Sequence, residues 1–170
     1  MKLAEVLADG FGRVQEVVHE AVEGLSAEQL AESPGPGANT IAWLVWHLTR
    51  VQDDHVADLM DTEQIWTSAG WLDRFELPFP AADTGYGHRP EDVDAVRVDS
   101  ADLLTGYYDA VHEATTAWVA GLDEAALDRI VDDAWDPPVT LGVRLVSVLS
   151  DDLQHAGQAA FARGLVLRAT

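Results

Sequence analysis

The sequence contains no cysteine, which excludes disulfides, thiolate metal ligands and a protein-borne thiol nucleophile. Any sulfur chemistry has to use a thiol from elsewhere. Basic residues are scarce: 10 Lys plus Arg stand against 30 Asp plus Glu, a formal net charge of −20. Phosphate backbones and anionic bilayers bind clustered cations, so neither nucleic acid nor a membrane surface is an expected partner. Long apolar runs are missing as well. The longest, Ile41 to Trp46, has six residues, far short of the roughly 20 that a membrane-spanning helix needs. Glu5 falls where a secretory leader would be unbroken and apolar, so a cytoplasmic location is expected. There is no phosphate-binding glycine loop and no Gly-x-Ser-x-Gly elbow. The pairs His19-Glu20 and His112-Glu113 each lack the second histidine of a zinc-protease helix.

What is present is a chain of 170 residues that is 48% hydrophobic, enough for a single domain, 1–170, with its own core. Apolar residues recur with a helical period from Leu3 through Val6, Leu7, Phe11, Val14 and Val18 to Leu25. Ser26 followed by Gln29 reads as a capping box opening a short helix, which ends in the Pro/Gly-rich residues 33–37. A second long helix opens at Asn39-Thr40 and carries Ile41, Leu44, Val45, Leu48, Val51, Val56 and Leu59 inward. A third begins near Ser100. The fourth opens at Thr140, after Pro137-Pro138, and runs to about Gly164. No credible alternating strand pattern occurs, so the fold class is all-α, an antiparallel four-helix bundle with side chains of facing helices forming any site. Between helices two and three lies a long crossover loop, residues 62–99, containing Trp66, Trp71, Phe75, Phe79 and Tyr86. A connection so long and aromatic is expected either to cap the core or to cover a site.

Two of the six histidines stand out. His47 lies on or beside the inward face of helix two, three residues after Leu44 and four before Val51. A buried imidazole needs hydrogen bonds or a metal on its nitrogens. His155 follows Asp151 by four residues and Asp152 by three, so either aspartate can share its face. A carboxylate and an imidazole one turn apart can clip a divalent metal, and His47 from a facing helix would complete a two-His-one-carboxylate triad with open positions. His19 and His112 read as helix-surface residues, His55 as an interface or surface residue, and His88 as a loop residue able to reach the site. Ser150, Asp151 and His155 only superficially resemble a catalytic triad, because neighbours on a helix project about 100° apart. Arg144, seven residues before Asp151 and about 10 Å along the axis, is placed either to hold an anionic group of a ligand or to pair with one of the many carboxylates.

The runs Asn39-Thr40-Ile41-Ala42-Trp43-Leu44-Val45-Trp46-His47-Leu48, Ala82-Asp83-Thr84-Gly85-Tyr86-Gly87-His88 and Asp151-Asp152-Leu153-Gln154-His155-Ala156-Gly157-Gln158 resemble the DinB superfamily, and most closely its mycothiol-transferase-like branch related to mycothiol-dependent maleylpyruvate isomerase. The resemblance spans nearly the whole chain. It implies a four-helix bundle whose metal triad takes one histidine from helix two and an i, i+4 pair from the last long helix. Here these are His47, Asp151 and His155, with Asp151 standing where the related isomerase has a glutamate. It further implies a thiol S-transferase that adds mycothiol, bacillithiol or glutathione to an electrophilic small molecule. Nine of the ten basic residues are arginine, a sign of a GC-rich bacterial genome, which favours mycothiol. Zinc is the expected metal, with nickel, iron or manganese also compatible. Arg144, His88 and Tyr86 are the expected contacts to the thiol, and dimerisation through a bundle face is a further implication. The competing expectation is an acidic helical bundle with a structural metal or none, acting as a dimeric binding or stress-response module.

Overall fold

The computed structural model of the chain describes residues 2–169. Four long helices form its frame: α1 (Leu3–Val22), α3 (Ile41–Met60), α7 (Ala101–Val119) and α8 (Leu141–Ala169). Short helices α2 (Ala27–Leu30), α4 (Ile65–Ser68), α5 (Trp71–Phe75) and α6 (Pro90–Ala95) lie between them. Helix α3 packs against α7 and α8, and α1 packs against the same two. The bundle is therefore a square in which α3 and α8 are neighbours. Among the described residues, no helix is long and apolar enough to cross a membrane.

The caps read from the sequence are in place. Ser26 and Gln29 form the reciprocal capping box of α2, and the Thr40 hydroxyl accepts from the Trp43 amide 3.2 Å away to start α3. Helix α1 stops at Val22 rather than Leu25, because Gly24 takes φ +70 just beyond it, a left-handed conformation that ends a helix. Helix α8 is five residues longer than expected: Leu165, Val166 and Leu167 continue it, and Val166 is buried in the core.

Two expectations need correction. A small antiparallel hairpin, β1 (Ile130–Asp132) with β2 (Val139–Thr140), precedes α8, where no strand was expected. Strands of three and two residues are too short to show a period-2 pattern. The crossover is not a bare loop either, since it carries α4, α5 and α6. Its first half caps the core: Trp66 lies 5.1 Å from both Phe75 and Tyr107, ring centroid to ring centroid. Four of the six tryptophans, Trp43, Trp46, Trp66 and Trp71, are thereby spent on the interior.

A fully buried cation ties this crossover to the bundle. Arg50 of α3 donates from Nε to the Asp83 carbonyl and from Nη2 to the Ala81 carbonyl, each at 3.2 Å. Its Nη1 reaches the Tyr107 hydroxyl at 3.2 Å and sits 3.6 Å from Asp53 Oδ2. Asp53 also accepts from the Tyr107 hydroxyl and from the Ile65 and Trp66 amides. Burial and the Asp53 charge push the Tyr107 phenol well above its ordinary pKa, so it stays a donor. Taking two charges out of water costs several kcal/mol per ion, and these paired hydrogen bonds offset that cost.

Candidate metal centre

The donors come from the two adjacent helices. His47 on α3 and Asp151 and His155 on α8 each offer one ligand atom, and these atoms lie within 4.8 Å of one another. The two imidazole rings are 4.8 Å apart, and His155 Nε2 is 3.6 Å from Asp151 Oδ1. The tautomers follow from what each ring does with its other nitrogen. His47 Nδ1–H donates to the Thr84 carbonyl, and His155 Nδ1–H donates to Gln158 Oε1 at 2.9 Å. A neutral imidazole carrying its proton on Nδ1 presents an unprotonated Nε2, so both lone pairs are free for the cluster. Burial holds the His47 pKa below its ordinary value, against the opposing pull of the Thr84 carbonyl. One carboxylate oxygen, Asp151 Oδ2, is buried without a hydrogen-bond partner. Two free imidazole lone pairs and an orphaned carboxylate oxygen fit a divalent cation with positions left open.

The two adjacent aspartates face different ways. Asp152 is fully buried toward the core, and burial, reinforced by the nearby Asp151 charge, raises its pKa well above the carboxylate range. It stays out of the cluster. Ser150 is exposed, with its hydroxyl accepting from Gln154 at 3.3 Å, so it forms no triad with Asp151 and His155.

Local sequence explains how His47 is held. Its ring stacks on Trp43 at 4.5 Å and an interplanar angle of 15°. The crossover segment passes directly over it because Gly85 adopts φ +89; a Cβ there would stand 2.9 Å from His47 Nδ1 and 2.9 Å from the Trp46 ring. Asp83 braces the same turn, accepting from the Gly85 amide at 2.8 Å. His88 does reach this region, but both its ring nitrogens are engaged, accepting from Trp43 Nε1 at 3.1 Å and facing Asp83 at 3.2 Å. It lies behind the donors, against a separate cavity of about 510 Å³ formed with residues 33–39 and α6.

In front of the donors opens a cavity of about 560 Å³, lined by His47 and Asp151, by Val51, Asp54 and His55 of α3, and by Arg144 of α8. Ligand pockets commonly fall in this size range. Tyr86 and Trp135 stand at its edge, 93% and 67% exposed. His55 is thus a cavity wall rather than a plain surface residue. Arg144 donates to Asp132 Oδ2 at 2.8 Å and to His55 Nδ1 at 3.1 Å, so both of its terminal nitrogens are engaged within the protein. Sequence reasoning missed Asp54, Asp132 and Trp135, together with the Arg50 network behind the loop. The one available signal for the network was that Arg50 and Asp53 share a helix stripe with Trp46 and Ala57.

His47, His55 and His112 all have pKa values lowered chiefly by burial, His112 while stacked on Tyr108. A histidine whose folded pKa lies below its unfolded value contributes stability that is present above about pH 6.5 and lost as pH falls through the folded pKa. In chelator, the melting temperature should therefore fall more steeply below pH 6.5 in the wild type than in His112→Gln. Equal slopes in the two proteins would refute this.

Comparison with known proteins gives two findings. A family model described as the DinB superfamily matches residues 11–159. The crystal structure of a conserved protein from Enterococcus faecalis superposes with a TM-score of 0.93 at 30% identity, covering 99% of each chain. None of the curated proteins compared matches.

Proposed function

We propose, from the premise that this chain belongs to the DinB superfamily, that it is a cytoplasmic, metal-dependent thiol S-transferase acting on an electrophilic small molecule, with mycothiol as the thiol. The observation that supports this best is the open side of the donor cluster. His47 and Asp151 line a cavity, with His155 beside them in the cluster, whereas a closed structural site surrounds its metal with four protein ligands. These three residues would hold the cation, with zinc the best match to the ligand types. When bound, a divalent cation supplies positive charge that favours the thiolate over a thiol whose free pKa is about 8.5.

The chain's own residues do the rest. Thr84 and Gln158 lock the two imidazoles in the ligating tautomer, so no proton has to leave His47 Nε2 or His155 Nε2 first. Trp43 seals one face of His47 against water. Tyr86 and Trp135 offer aromatic faces at the entrance, suited to the apolar side of a thiol carrier or its electrophile. Arg144 fixes the cavity wall to the hairpin. His88 supports Trp43 from behind and acts on the thiol only through that contact. With no cysteine in the chain, the attacking sulfur belongs to the small-molecule thiol; a carbon–sulfur bond forms as the electrophile's leaving group departs with its electron pair.

The test is turnover. Zinc-loaded protein, mycothiol and a fluorogenic alkyl halide are incubated together, and the thioether is quantified by mass spectrometry. The expected result is formation well above that with chelated protein. Equal rates with and without metal, across thiols and several electrophiles, would reject the transferase reading and favour a structural or binding role for the bundle.

A further inference from the structure

The cavity in front of the donors has a distinctive charge inventory. Three carboxylates line it, Asp54, Asp132 and Asp151, and Arg144 is the one Lys or Arg among the described lining residues. That guanidinium is already paired within the protein: Nη2 donates to Asp132, and Nη1 donates to His55 Nδ1. An imidazole nitrogen that accepts carries no proton, so His55 adds no positive charge. In net charge, a divalent cation on the donors and Arg144 together balance the three carboxylates. The cavity is then neutral before a thiolate binds and negative after, so a further anionic group adds only repulsion. The field of a chain with net charge −20 acts in the same direction.

Asp54 is the carboxylate that a ligand meets. Asp132 is neutralised by Arg144 and Asp151 belongs to the donor cluster, whereas Asp54 is held on the wall by a carboxamide, Gln64 Nε2 donating to its Oδ1 at 2.7 Å. From this arrangement we infer that the thiol and electrophile admitted here carry no carboxylate in the part that occupies the cavity, and that Asp54 enforces the exclusion. This inference rests on the transferase reading above and narrows its substrates to uncharged or cationic molecules. It also reassigns Arg144 from anchor of an anionic ligand to counter-charge of Asp132.

The experiment uses cobalt-loaded full-length protein and two thiols of one skeleton: N-acetylcysteine, which bears a carboxylate, and N-acetylcysteinamide, which does not. Each is titrated while the visible absorption of the cobalt is followed, and each affinity is corrected for its own thiolate fraction. One like charge across a cavity of this size changes affinity by about five- to tenfold. The amide should bind tighter by about that factor at low ionic strength, and added salt should narrow the gap. In Asp54→Asn, which keeps the acceptor for Gln64, the gap should shrink to about twofold. Equal or tighter binding of the carboxylate would overturn the inference and leave the transferase reading standing. An undiminished preference for the amide in Asp54→Asn would overturn the role of Asp54. If neither thiol perturbs the cobalt spectrum, the transferase reading falls and the inference falls with it.

Discussion

His47→Ala and His155→Ala should each bind zinc at least about a hundredfold more weakly than the wild type, because a structural site with four protein ligands is worth about 10–16 kcal/mol, several kcal/mol per ligand, and this centre has three protein donors. The same loss is expected in Asp151→Asn, whereas Asp152→Asn should keep full metal content, since its side chain faces the core instead of the donors. That pair of neighbours makes the experiment sharp: two chemically identical changes, one position apart, give opposite outcomes. Gln158→Leu should fall between them, losing about 10–100-fold, the usual cost of removing the group that orients a ligating histidine. Metal content after dialysis against a weak chelator, measured by plasma mass spectrometry, is the readout, with far-UV circular dichroism confirming an intact bundle. Full retention of metal by His155→Ala would remove this centre from consideration.

Arg50→Met should destabilise the protein by about 3–5 kcal/mol, the range seen when one partner of a buried ion pair is removed and the other stays. Methionine fills much of the space but donates nothing, so Asp53 is left charged beside Tyr107, and the Ala81 and Asp83 carbonyls lose their donors. The change is large against the 5–15 kcal/mol that holds a domain together. Adding Asp53→Leu should recover part of the loss, since the uncompensated charge is then gone, but not all of it: the Ile65 and Trp66 amides still lose their acceptor. Urea unfolding measures both. A loss below about 1 kcal/mol in the single variant would mean that the network contributes little to stability. Metal affinity should weaken alongside, because Arg50 grips the residue next to Thr84, whose carbonyl orients His47.

The four long helices were legible because their apolar positions repeat over many turns, and no local feature competes with a signal of that length. His47, Asp151 and His155 were legible for a related reason: one turn of helix fixes the spacing of the last two, and the first sits beside an unbroken inward stripe. Which aspartate turns inward was not, since Asp151 and Asp152 each lie about one turn from His155, and only the rotation of α8 against α3 separates them. The hairpin was invisible because five residues cannot display a period. His88 and Arg144 show another limit. Their proximity to the site could be guessed, but the partners that occupy their nitrogens, Trp43 and Asp83 for one, Asp132 and His55 for the other, come from segments distant in sequence. The Arg50 cluster was hidden in the same way, its acceptors lying about 30 residues downstream in the crossover.

The hairpin that precedes α8 separates two jobs. The donors sit on long helices whose spacing is fixed by core packing, while the turn between the strands, residues 133–138, is exposed throughout and carries Trp135 to the cavity edge. It joins the bundle near the site through Asp132 and Arg144. Exchanging that turn for another of different length or composition should thus reshape the cavity's entrance while the donor cluster stays as it is, a division of labour that lets one scaffold be retuned at its rim without being refolded.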